Sequence, residues 1–194
     1  MSVERVASSD LFFPDLTLRP PRRTEEPSQL PAGETARRLK AERARFERGF
    51  LRWLRNAEDV SGVIEMREAV AAIEATQALP AARAFWWITI ALLDALVERQ
   101  VPVDFHVKKL CARIDLQMRR LLEGSKTVSE RLVRDALYFV AVAKGGGALV
   151  QQVKAVSYTH LRAHETVLDL VCRLLLEKKK KQPCYSHLMC HYDS

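Results

Sequence analysis

The chain has 194 residues, 48% hydrophobic and 28% charged, with 7 glycines and 8 prolines, which is the make-up of one soluble globular domain plus a tail. The longest apolar run, 84–93, is too short for a bilayer and is closed by Asp94. The N-terminus lacks the basic-then-apolar layout of a secretion signal, so a cytoplasmic location is expected. Of the formal +7 charge, the run Lys178 to Lys181 supplies four, and residues 1–154 hold 25 lysines and arginines against 20 carboxylates, too mild and scattered an excess to suggest nucleic acid.

Residues 1–32 contain five prolines, which deny helix and strand, so a flexible N-terminal segment is expected there. Within it Leu11, Phe12, Phe13, Pro14 and Leu16 form an apolar knot read as an extended strap laid on the domain, with a partner-binding peptide as the alternative. From Glu34 the pattern turns helical, with Leu39, Phe46, Phe50, Leu51 and Leu54 on one face and arginines and glutamates opposite, ending near Asn56.

Asp59 or Ser61 can cap a second helix that carries Val63, Met66, Val70 and Ile73 inward. Pro80 suits the first turn of a third, whose Phe85, Trp86, Trp87, Ile88, Ile90, Leu92, Leu93 and Leu96 are apolar nearly all round; this is the expected central element. Asp104 opens a fourth helix with Val107, Leu110, Cys111, Ile114, Met118, Leu121 and Leu122 inward, and Gly124 ends it. Thr127 or Ser129 caps a fifth, with Glu130 completing a capping box and Leu132, Val133, Ala136, Leu137, Val140 and Ala141 inward. Gly145 to Gly147 break that helix, and a sixth starts at Ala148. No strand signal appears, so the fold class is all-α, an antiparallel bundle of about five helices spanning residues 33–154.

The stretch from Val156 to Lys181, VSYTHLRAHETVLDLVCRLLLEKKKK, resembles a translated transposase-type sequencing adaptor. The adaptor's codons read VSYTHLRAHE in frame, a short index follows, the next adaptor segment encodes LVCRLLL, and a run of A yields lysines. On this reading residues 155–194 are a non-native tail with its junction at Ala155, and the sequence is chimeric. It removes two apparent zinc sites: His160 with His164, and the set Cys184, His187, Cys190 and His191, which in any case lacks a paired C-x-x-C knuckle. No metal and no cofactor is expected.

Phosphate-loop, dinucleotide and hydrolase motifs are absent from the sequence, and Gly145 to Gly147 lack the lysine and strand of a phosphate loop. Glu65, Glu68 and Glu74 read as a solvated face rather than paired acids. Arg37, Arg38, Lys40, Arg43, Arg45 and Arg48 could track phosphates, but interleaved Glu42 and Glu47 suggest an exposed helix with i,i+4 pairs. His106, with Lys109 three residues on, has the spacing of a phosphoacceptor histidine and a steadying lysine, set against a plain surface histidine.

The segments FFPDL, ARFERGFLRWLR, AARAFWWITIALLDAL, VKKLCARIDLQMRRLLEGS and VSERLVRDALYFVA resemble the N-terminal region of the large CheA-type hybrid histidine kinases of chemosensory pili, a region similar to a domain of the FimL scaffold family. The likeness covers roughly residues 10–154. It implies a helical module related to histidine-phosphotransfer domains, in a pathway controlling type IV pili and twitching motility, with response regulators or pilus-regulatory scaffold proteins as partners. The kinase machinery lies outside this sequence. The phosphotransfer pattern also wants a glycine after the lysine, where Leu110 stands; the resemblance thus implies a non-catalytic, scaffolding version of the module.

Overall fold

In a computed structural model the described residues are 12, 14, 16, 19–23 and 31–157. Among them there is no strand. Five helices follow one another, α1 (Ala32–Arg55), α2 (Ser61–Thr76), α3 (Pro80–Val97), α4 (Phe105–Leu122) and α5 (Glu130–Val142), and a sixth, α6, covers 148–157. The adaptor-like and metal-like residues from Tyr158 onward lie outside the described residues.

The five helices close a ring in which α1 packs on α2 and α4, α5 packs on α3 and α4, and α2 packs on α3. Arg45 meets Glu68 while Arg48 and Arg52 meet Glu65, so α1 and α2 run antiparallel. Arg67 with Asp94 and Arg83 with Glu74 set α2 against α3 in the same way, and Arg113 with Asp135 sets α4 against α5. α1, α3 and α5 therefore point one way and α2 and α4 the other. One end of the bundle gathers the C-termini of α1, α3 and α5 with the N-termini of α2 and α4; the other gathers the complementary ends.

α3 has the central role that its composition implies, with Phe85, Trp86, Ile88, Ala91, Leu92 and Leu93 all buried. Its mean hydropathy of 1.4 over 18 residues is that of a segment able to cross a bilayer, yet 67% of it is buried in the bundle, so its apolar surface faces protein. Cys111 is fully buried on α4, and burial pushes its thiol up to about 12, which suits a small core residue.

α1 differs from its expected face. Leu39, Phe46 and Trp53 are buried, with Phe50 packed beside them, whereas Leu51 and Leu54 are exposed. The buried set repeats every seven, four and three residues, so it holds one helical face; Leu51 and Leu54 are rotated off that face by about 100° per residue. Counting leucines as core residues placed the stripe one step too far round.

α1 and α2 cross with their backbones close together. A Cβ added to Gly49 would sit 2.5 Å from the Gly62 carbonyl oxygen, and one added to Gly62 would sit 2.5 Å from that of Gly49. Gly49, inside α1, costs about 1 kcal/mol relative to alanine, while Gly62 stands in the first turn of α2. Here they let two backbones touch.

Helix ends follow the caps. The Asp104 carboxylate accepts from the Val107 N–H at 2.9 Å, and Asp59 accepts from the Ser61 N–H at 2.9 Å, one position outside the α2 N-cap. These bonds with Ser61 hold the Asp59 carboxyl below its usual range. Ser129 caps α5 by accepting from Leu132, which makes Glu130 the first helical residue, not the third that the expected capping box requires. At the end of α4, Gly124 has φ 89° and the Gly124 and Ser125 N–H groups return to Leu121 and Arg120, a Schellman closure.

The described residues of the N-terminal segment lie against the bundle. Phe12 is buried and meets Tyr138 edge-on at 5.9 Å, and Leu16 packs on the core, as a strap would.

Candidate functional site

The end of the bundle that holds the start of α4 is assembled by turns rather than by one motif. α3 closes with Arg99 in the left-handed region, φ 56°, while the Arg99 and Gln100 N–H groups donate to the Leu96 and Ala95 carbonyls at 3.1 and 2.8 Å. A residue with a Cβ is strained there. Its guanidinium pairs with the Glu58 carboxylate at 2.7 Å, a solvent-exposed contact between the end of α3 and the α1–α2 turn.

After α5, Gly146 has φ 131° and a Cβ there would meet Val150 at 2.4 Å, so glycine is required on both counts. The Lys154 ammonium donates to the Ala143 and Gly145 carbonyls at 2.6 and 3.0 Å, satisfying the carbonyl end of α5. α6 sends Val150 and Val153 into the core.

His106 lies in the first turn of α4 at this end. It is exposed and stands edge-on to the exposed Phe105 ring, 5.8 Å between centroids. Lys109, one turn along, is also exposed, whereas Leu110, at the position the phosphotransfer pattern reserves for glycine, is buried. No carboxylate is bonded to His106 in the described hydrogen bonds, and no group of three or more metal-ligating side chains occurs among the described residues. The histidine has solvent access and Lys109 one turn along, but among the described residues no bonded group fixes its tautomer.

The carboxylates expected on a solvated face are not all solvated. Glu74 bonds the guanidiniums of Arg83 at 2.7 Å and Arg23 at 2.6 Å, with only 14% of its side chain exposed. Glu65, 17% exposed, pairs with Arg48 and Arg52 at 3.5 and 3.3 Å, while Glu68 pairs with Arg45. The α2 positions that looked free face α1, α3 and the N-terminal segment, where arginines wait. Arg23 also donates to the Gln77 carbonyl at 3.0 Å, so it closes the C-terminal end of α2.

The basic series of α1 is divided by the same pairing. Arg43 bonds Asp115 through both nitrogens at 3.1 Å, which raises its affinity for the proton, and it also meets Glu47 four residues on. Arg45 and Arg48 have their own carboxylates, leaving Arg37, Arg38 and Lys40 exposed near the start of the helix. The expected i,i+4 pairing is thus one part of a larger set of interhelical pairs. Arg23, Trp53, Gly49 and Gly62 were not singled out from the sequence; for the two glycines the available signal was a glycine inside each of two consecutive helical patterns.

A family model described as the second domain of the FimL scaffold protein matches residues 31–158. The chain is 28% identical over 129 residues to the scaffold protein FimL of Pseudomonas aeruginosa, an alignment covering 66% of this chain and 22% of that protein. It therefore spans about a fifth of the length of that relative. No solved structure matches.

Proposed function

The chain belongs to the FimL scaffold second-domain family, and on that premise we propose that it is a non-catalytic helical interaction module which holds signalling proteins together. The match across residues 31–158 carries this reading. The bundle supports it: the half-buried carboxylates Glu65 and Glu74 are bound to arginines, and no base is bonded to the exposed His106 in the described hydrogen bonds. The finer proposal is a piece of a bacterial chemosensory histidine kinase serving type IV pili and twitching motility in the cytoplasm. Its partners would be response regulators or pilus-regulatory scaffold proteins. The likeness of five sequence segments to that kinase region supports this part.

We also propose the boundaries that the sequence suggests: a lead-in at 1–32, the domain at 33–154, and adaptor-derived residues from 155. The family match runs to residue 158 and α6 to residue 157, both past that junction. The uninterrupted gene is then expected to read on from Lys154 without the YTHLRAHET segment.

One observation favours a rival, an active phosphotransfer domain: His106 is exposed with Lys109 one turn away. Incubating the chain with a chemosensory histidine kinase and ATP separates the two. The scaffold reading expects no acid-labile phosphate on the chain. Near-stoichiometric phosphate that disappears in His106→Ala would overturn it.

A further inference from the structure

Among the described residues, several large apolar side chains are left in solvent at one end of the bundle, while Leu79 is exposed at the other and Ile64, Leu116 and Val156 are exposed elsewhere. Phe105 is 71% exposed, and Leu51, Leu54, Val103 and Val142 are exposed with it. Helix register brings them level. Arg43 stands opposite Asp115 in antiparallel α1 and α4, so going up α1 to Leu51 and Leu54 means going back along α4 to its first turn, where Phe105 lies. Arg113 stands opposite Asp135 in antiparallel α4 and α5, which in the same way sets Val142 level with His106. The ends of three neighbouring helices thus carry exposed apolar side chains at one level. Packed domains gain by burying such side chains, so an exposed cluster of them marks a contact surface.

Both signs of charge stand around it, and several of the cations have no ion-pair partner in the described pairs. Arg55, Lys109 and Lys144 are exposed and Lys108 is half-buried, and none is bonded to a carboxylate in the described pairs. Of the neighbouring acids, Glu47 pairs with Arg43 and Glu58 with Arg99, Asp104 caps α4, Asp59 accepts from the Ser61 N–H, and Glu98 accepts from the Gln100 amide. A second copy of the chain docked face to face would set cations against cations. The run Lys178 to Lys181 makes the chain's own distal residues equally unsuited. An anionic bilayer asks for a stronger basic cluster than four scattered side chains beside its apolar face.

We propose that this end of the bundle docks an acidic amphipathic helix of a partner protein. Leucine-like side chains on one face of that helix would pack on Phe105, Leu51 and Leu54, and its glutamates or aspartates would meet Lys108, Lys109 and Arg55. The inference rests on the scaffold reading and names the chemistry of the partner.

The probe is a fluorescein-labelled helical peptide of about five turns, with leucines at i, i+3, i+4 and i+7 spacing and glutamates elsewhere. It is titrated with the full chain and followed by anisotropy. The expected result is saturable binding, weakened at least about tenfold by Phe105→Glu combined with Leu54→Glu. Lys108→Glu with Lys109→Glu should weaken it similarly, which keeps the test alive if the first pair fails to fold. Leu79→Glu, at an exposed apolar residue of the opposite end, should leave it unchanged, and a peptide with lysines for the glutamates should not bind.

Absence of saturable binding, or equal binding by the Phe105 and Leu54 variant, would overturn the proposal. So would self-association in sedimentation that Phe105→Glu abolishes, or co-sedimentation with phosphatidylserine vesicles that it abolishes, since each assigns the surface to another occupant. Phosphate on His106 would sink the scaffold reading separately, without altering the peptide titration.

Discussion

The two ends of the bundle are closed by different chemistry. At one, Glu74 on α2 sits between Arg83 of α3 and Arg23 of the N-terminal segment, and Arg83 also donates to the Pro21 carbonyl at 3.2 Å, so polar groups from three segments satisfy one another. At the other, turns and a backbone-to-backbone glycine crossing do the closing, and Phe105, Leu54 and Val142 are left in water. The first end is fixed by a polar clamp, although Leu79 is exposed there; the second leaves a larger set of apolar side chains in solvent.

Glu74→Ala should give the largest effect. It leaves two guanidiniums without their carboxylate in a mostly buried setting, and a loss of about 2 to 3 kcal/mol in urea unfolding is expected, toward the low end for broken buried pairs because some solvent reaches these side chains. Next comes Gly62→Ala, which drives a methyl against the Gly49 carbonyl and should cost about 2 kcal/mol. A negligible effect there would mean that the helices can slide apart freely, and the close crossing would lose its structural role. Phe105→Glu should change stability by less than about 0.5 kcal/mol, as surface substitutions do. A loss matching that of Glu74→Ala would make the open end as structural as the closed one.

The smallest effect concerns acid. Asp59 is held below its ordinary 3.8 by bonds from Ser61, so its contribution is present above that value and fades as pH falls through the lower folded-state value. Between about pH 5 and about pH 3 the protein should therefore lose slightly more stability than Asp59→Asn, measured by denaturant midpoints at each pH.

Most of the helices were legible because their ends carry local signals: Pro80, Asp104, Ser129 and Gly124 act within a few residues of where they stand. The face of α1 was misjudged at Leu51 and Leu54 because a broad apolar stripe has no sharp edge until its neighbours are known. Glu74 looked solvated because one of its partners, Arg23, is 51 residues away in sequence. His106 and Lys109 were visible as a spacing. Their surroundings were not, since Val142 reaches their level only through the register of α4 and α5. No local pattern encodes that register.

Residue-resolved amide hydrogen exchange on the full chain tests the division between the ends most directly. Amides around the Glu74 clamp, such as those of Gln77 and Arg83, should exchange only through opening of the whole bundle, while those of Lys144 and Gly145 at the apolar end should exchange at least about tenfold faster through local opening. Slow exchange at the apolar end with fast exchange around Glu74 would contradict it.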